Sequence, residues 1–102
     1  MKIELLYFDG CPSWEEGLKN LEAALKEEGV TSSVDRIKVN DDDEANHLKF
    51  LGSPSFRVDQ QDLWHEERDT YSLSCRIYST PDGIKGWPTV EMLRTRLRSF
   101  VG

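Results

Sequence analysis

The stretch Ile3-Glu4-Leu5-Leu6-Tyr7-Phe8-Asp9-Gly10-Cys11-Pro12-Ser13-Trp14 decides the fold, because an apolar strand stops there, a cysteine appears and an amphipathic helix begins. Ile3, Leu5, Leu6, Tyr7 and Phe8 read as a buried strand. Gly10 permits a sharp turn, and Pro12 suits a first helical turn, where its missing N–H would have no partner in any case. This places Cys11 at or beside a helix N-cap, where the partial positive charge and the unpaired N–H groups favour a thiolate. Cys11 is therefore the candidate nucleophile.

Working outward, Trp14, Leu18, Leu21 and Leu25 recur at helical spacing while Glu15, Glu16, Lys19, Glu22 and Lys26 alternate with them, which predicts a helix from about Trp14 to Glu28 ended by Gly29. Val34, Ile37 and Val39 mark a second strand, and a strand, helix and strand of this length imply a parallel, right-handed crossover. The acids Asp41, Asp42, Asp43 and Glu44 lack the loop spacing of a calcium site and fit a helix N-terminus, with Asp41 or Asp42 as cap and Ala45 and Leu48 facing inward up to about Gly52. His47 falls on the solvent face of that helix.

Pro54 stands directly ahead of the alternating Phe56-Arg57-Val58, a position suited to the start of a third strand. Asp59-Gln60-Gln61-Asp62 reads as a turn, and Leu63 to Ser74 as a long polar surface loop. Leu73, Cys75 and Ile77 then alternate with Ser74, Arg76 and Tyr78, predicting a fourth strand with Cys75 on its buried face. Pro81-Asp82-Gly83 makes a turn, and a last helix from Pro88 carries the stripe Val90, Leu93, Leu97 and Phe100, with Arg94, Arg96 and Arg98 outside it.

Composition narrows the function classes. A chain of 102 residues supports one core. A net charge of −6 and a pI near 4.8 argue against nucleic acid or an anionic membrane surface as partner. The first residues read as a buried strand and not as a signal peptide, and two cysteines 64 positions apart form neither a disulfide framework nor a metal finger, so a reduced, cytoplasmic setting is expected. No metal and no cofactor is implied.

The order of elements, together with Phe8-Asp9-Gly10-Cys11-Pro12-Ser13-Trp14 and Gly52-Ser53-Pro54-Ser55-Phe56-Arg57-Val58-Asp59, resembles the thioredoxin-like superfamily over nearly the whole chain. More narrowly it is similar to small bacterial thioredoxin-family proteins often labelled alkylmercury lyase, whose pattern Ser74-Cys75-Arg76-Ile77-Tyr78 also fits. The resemblance implies an α/β fold of order βαβαββα, a four-stranded mixed sheet with helices on both faces. It implies an exposed nucleophilic cysteine at Cys11, and a cis-proline at Pro54 facing it across a substrate groove formed with Pro12, Ser13, Trp14 and Ser53.

The departure is Trp14, which stands where a thioredoxin has its resolving cysteine, so a local dithiol cycle cannot close. Cys75 is the candidate second thiol, but in the resembled sheet Pro54 and the end of strand four near Ser79 approach Cys11 while Cys75 lies about four residues away, or ~13 Å along the strand, well beyond the ~7 Å Cα limit for bridging. Three readings follow. The favoured one is a single-cysteine redox or thiol-binding protein whose Cys11 forms mixed disulfides with glutathione or a protein thiol, taking up one glutathione and stopping there. Asp9, Glu15 and Glu16 oppose its ionisation. The second is soft-metal or organomercurial handling by Cys11 and Cys75, with Asp9 as acid. The third is a non-enzymatic interaction domain presenting Trp14, Trp64 and Trp87.

Overall fold

The computed structural model describes residues 2–101. Its centre is β1 (Ile3–Tyr7), which runs parallel to β2 (Val34–Lys38) on one side and antiparallel to β3 (Ser55–Val58) on the other. A short β4 (Gln61–Asp62) completes a four-stranded mixed sheet in the order β2-β1-β3-β4. Helices α1 (Trp14–Glu27), α2 (Asp42–Leu48) and α3 (Val90–Val101) surround the sheet, and β5 (Tyr78–Thr80) and β6 (Gly83–Lys85) form a separate hairpin.

Alternation along β1 divides the core in two. Ile3 and Leu5 pack with Leu21, Ala24 and Leu25 of α1 and Leu93 and Leu97 of α3, whereas Leu6 packs on the other side with Val39, Ala45 and Phe50 around α2. The apolar stripes read from the sequence are the faces these helices bury: Leu21, Leu93 and Leu97 are fully enclosed.

The expected helix boundaries hold, with informative shifts. Helix α1 ends in a Schellman arrangement: Gly29 at φ 70° donates its N–H to the Lys26 carbonyl at 3.2 Å, and Val30 donates to Leu25 at 2.9 Å. In α2, Asp41 is the cap, its carboxylate accepting from the Glu44 N–H at 2.8 Å, and left-handed Lys49 closes the helix before Gly52 is reached. Pro12 and Pro88 both precede their helices and do not begin them, Ser13 being the N-cap of α1.

Two expectations in the second half are overturned. The segment read as a turn, 59–62, is a two-residue hairpin loop, Asp59 and Gln60 at φ 49° and 72°, followed by β4. The fourth strand of the sheet is therefore β4 and not 73–78. In that later segment the burial phase is inverted: Arg76 and Tyr78 point inward while Cys75 is exposed and Ile77 is 70% exposed. The inversion has a physical cause. Arg76 finds a buried partner in Asp62, its Nη1 donating to both carboxylate oxygens at 3.0 Å, and the Tyr78 hydroxyl donates to the Pro54 carbonyl at 2.7 Å. Satisfied in this way, two polar-tipped side chains occupy the inside and turn the cysteine out.

The arginines of α3 are mostly structural. Glu28 at the end of α1 accepts from Arg94 Nε at 2.8 Å and from Arg98 Nε and Nη2 at 2.9 Å, which holds its carboxyl far below its ordinary value, at about 2. Because the folded-state value lies below the unfolded one of about 4.3, this clamp contributes above that pH and is lost as pH falls toward 2. Glu28→Gln is thus expected to lower the urea midpoint at neutral pH, and the gap to the unmodified chain should shrink as denaturation curves are recorded at successively lower pH. A gap that stays constant from neutral pH to about pH 3 would refute the clamp.

Candidate functional site

The loop that carries Cys11 is pinned at both ends. Tyr7, the last residue of β1, stacks on Trp14, the first of α1, with ring centroids 4.1 Å apart and planes 24° apart. Within the loop the Cys11 N–H donates to the Phe8 carbonyl at 3.2 Å. Cys11 is buried, at 1% exposure, which corrects the expectation of an exposed nucleophile. Its thiol donates to the Ser53 carbonyl at 3.4 Å.

Ser53–Pro54 is cis, as expected. Pro54 is nevertheless fully enclosed. Helix α1 lies so close that a Cβ on Gly17 would come 2.8 Å from Pro54 Cγ. Of the other expected groove residues, Ser53 is buried, Pro12 is exposed, and Ser13 and Trp14 are half-buried.

What closes the groove is the chain itself. Ser53 donates its N–H to the Ser74 carbonyl at 2.8 Å and accepts from the Arg76 N–H at 3.0 Å, a parallel bridge that sets Cys75 directly beside it. Adjacent chains in such a bridge are ~4.8 Å apart, so Cys75 lies beside the residue that receives the Cys11 thiol, and the thiol expected to be buried is exposed. Ser53 therefore touches both cysteine-bearing segments: its carbonyl receives the Cys11 thiol, and its backbone is paired with the segment that carries Cys75. The Ser53 Oγ is buried and has no hydrogen-bond partner among the described residues.

The approach of segment 74–76 depends on Gly52. Its φ of +118° belongs to glycine, and a Cβ there would meet Arg76 Cβ at 2.9 Å and the Arg76 backbone N at 3.1 Å. From beneath, Arg76 anchors the segment through Asp62, the Ser55 Oγ at 3.3 Å and the Trp64 carbonyl. Trp64, expected on a surface loop, packs edge-on against Tyr78 with centroids 5.2 Å apart. Sequence reasoning missed Gly52, Asp62 and Arg76 as determinants of the site; the one available signal was an arginine in phase with Tyr78 on an otherwise alternating segment.

The electrostatics follow from this packing. The neighbouring Cys11 thiol, with burial adding to its effect, pushes the Cys75 thiol above its ordinary range. The Asp9 carboxylate pairs with Lys38 at 2.6 Å on the surface. A groove of about 910 Å³, lined by Trp64, Cys75, Ile77, Met92 and Arg96 among others, opens beside Cys75 and does not reach Cys11. Among the described residues no group of three or more His, Cys, Asp or Glu side chains is arranged to hold a metal ion. No helix among them is long and apolar enough to cross a membrane. Compared with family models, with curated proteins and with solved structures, the chain matches none.

Proposed function

We propose that this chain is a thiol–disulfide redox protein on a thioredoxin-like scaffold, in which Cys11 and Cys75 interconvert between two thiols and one disulfide. The observation that carries this reading is Ser53, whose carbonyl accepts from Cys11 while its backbone pairs with the segment bearing Cys75. Two cysteines gathered at one residue restore the resolving partner that Trp14 takes away from the helix end. The partner molecules are then glutathione or a protein thiol, as the resemblance implies. No metal or cofactor is needed, since the electrons move between sulfur atoms.

The neighbouring thiols also favour a second reading, the capture of a soft ion by two thiolates. A carbon–mercury lyase would need a free acid near the sulfurs as well, and the Asp9 carboxylate is engaged by Lys38. The interaction-domain reading is weakened because Trp14 and Trp64 pack against the core.

Equilibration in glutathione buffers of graded oxidation, followed by thiol counting and peptide mapping, tests the redox reading. The expected product is a monomer that has lost both thiols, gained no glutathione and contains a Cys11–Cys75 linkage. A monomer that carries one glutathione across the whole range, with its second thiol free, would instead return the chain to the one-cysteine behaviour expected from sequence.

A further inference from the structure

The two thiols are not equivalent, and their difference sets an order of events. Cys11 is 1% exposed, whereas Cys75 is exposed and borders the groove of about 910 Å³. A substrate cannot approach Cys11 by pairing with the adjoining backbone either, because the Ser53 N–H and carbonyl are both occupied by Ser74 and Arg76. Attack on a disulfide requires the incoming sulfur to reach the attacked sulfur in line, so access decides which sulfur is used.

Building on the dithiol reading, we propose that Cys75 is the sulfur that forms the mixed disulfide with a substrate thiol, and that Cys11 is the internal thiol that leaves and returns. This reverses the order expected from Cys11 at the helix end. In the oxidising direction, a substrate thiolate attacks Cys75 Sγ of the internal disulfide. The bond to Cys11 breaks, the electron pair departs with Cys11 as a thiolate, and the substrate is joined to Cys75. A second thiolate of the same substrate then attacks the substrate sulfur of that bond and expels Cys75 as a thiolate, which takes up a proton. Two electrons have passed from a substrate dithiol to the protein, and glutathione disulfide restores the internal bridge by the same two exchanges in reverse.

The test uses the full chain, Cys11→Ser and Cys75→Ser, with glutathione disulfide and iodoacetamide under native conditions and again in urea. Cys11→Ser is expected to accumulate a stable glutathione adduct on Cys75. Cys75→Ser should react at Cys11 at least tenfold more slowly when folded than when unfolded, and the reduced full chain should be alkylated first at Cys75. If the full chain still forms its internal bridge but Cys11 in Cys75→Ser reacts as fast folded as unfolded, or is alkylated first in the full chain, the order is wrong although the dithiol reading stands. If the full chain forms no internal bridge at all, the dithiol reading itself fails.

Discussion

Arg76→Ala should lower the unfolding free energy by roughly 3–5 kcal/mol, because it strands a buried carboxylate. The Arg76 and Asp62 side chains are 7% and 4% exposed, and both Asp62 oxygens accept from the same guanidinium nitrogen. The substitution also deprives the Trp64 carbonyl of a donor and leaves a hole beneath Tyr78, over which the guanidinium lies 5.3 Å from the ring centroid. Since a domain of this size has only about 5–15 kcal/mol in total, the variant should be marginal. Urea denaturation of the reduced protein gives the measurement, and a loss below about 1 kcal/mol would show that the pair is solvated after all. Replacing both partners with apolar residues, as in Arg76→Met with Asp62→Leu, should recover most of the loss, because no unpaired charge then remains buried.

Gly52→Ala should act on the proposed Cys11–Cys75 pair more than on the fold. At φ +118° an alanine is strained by about 1–3 kcal/mol, and its Cβ would press on Arg76 Cβ at 2.9 Å and Arg76 N at 3.1 Å. The cheapest relief is withdrawal of segment 74–76 from Ser53, which carries Cys75 away from Cys11. Internal disulfide formation in a glutathione buffer should slow about tenfold or more, equivalent to roughly 1.4 kcal/mol in the barrier. Gly29→Ala is the control: Gly29 also has positive φ, at +70°, but nothing lies within 4 Å of its would-be Cβ. It should be destabilised by conformational strain alone, with the rate of bridge formation unchanged. Equal rates in both variants would detach Gly52 from the placement of Cys75.

The first half of the chain was legible because its signals are local. Apolar spacing over Trp14–Leu25, an acid cap at Asp41 and a glycine after Glu28 each act within a turn of the residue concerned, and the structure has them where the sequence puts them. The cis peptide at Pro54 was likewise readable, through the resembled motif. The segment around Cys75 was not, because its orientation is decided at long range. Leu73, Cys75 and Ile77 form the more apolar row, yet the row that goes inside is the one whose arginine meets Asp62 and whose tyrosine meets the Pro54 carbonyl. Nothing local distinguishes an arginine that will find such a partner from one that stays in water. The hairpin at Asp59-Gln60 was missed for a related reason: positive φ at both positions usually calls for glycine or asparagine, and here neither is present.

The 64 positions that separate Cys11 from Cys75 would give the proposed linkage between them a thermodynamic weight that a Cys-X-X-Cys pair lacks. A bond between neighbours three apart ties off a single turn and removes few conformations from the unfolded chain. One that encloses most of the sheet and two of the helices removes many, worth roughly 4 kcal/mol on the chain-entropy account. By reciprocity, if that bridge forms, the folded chain would hold its sulfurs at an effective concentration about a thousandfold above that in the unfolded chain. Oxidation and melting are then two handles on one equilibrium: the bridged form should resist heat, and loosening of the native chain should make the bridge easier to reduce.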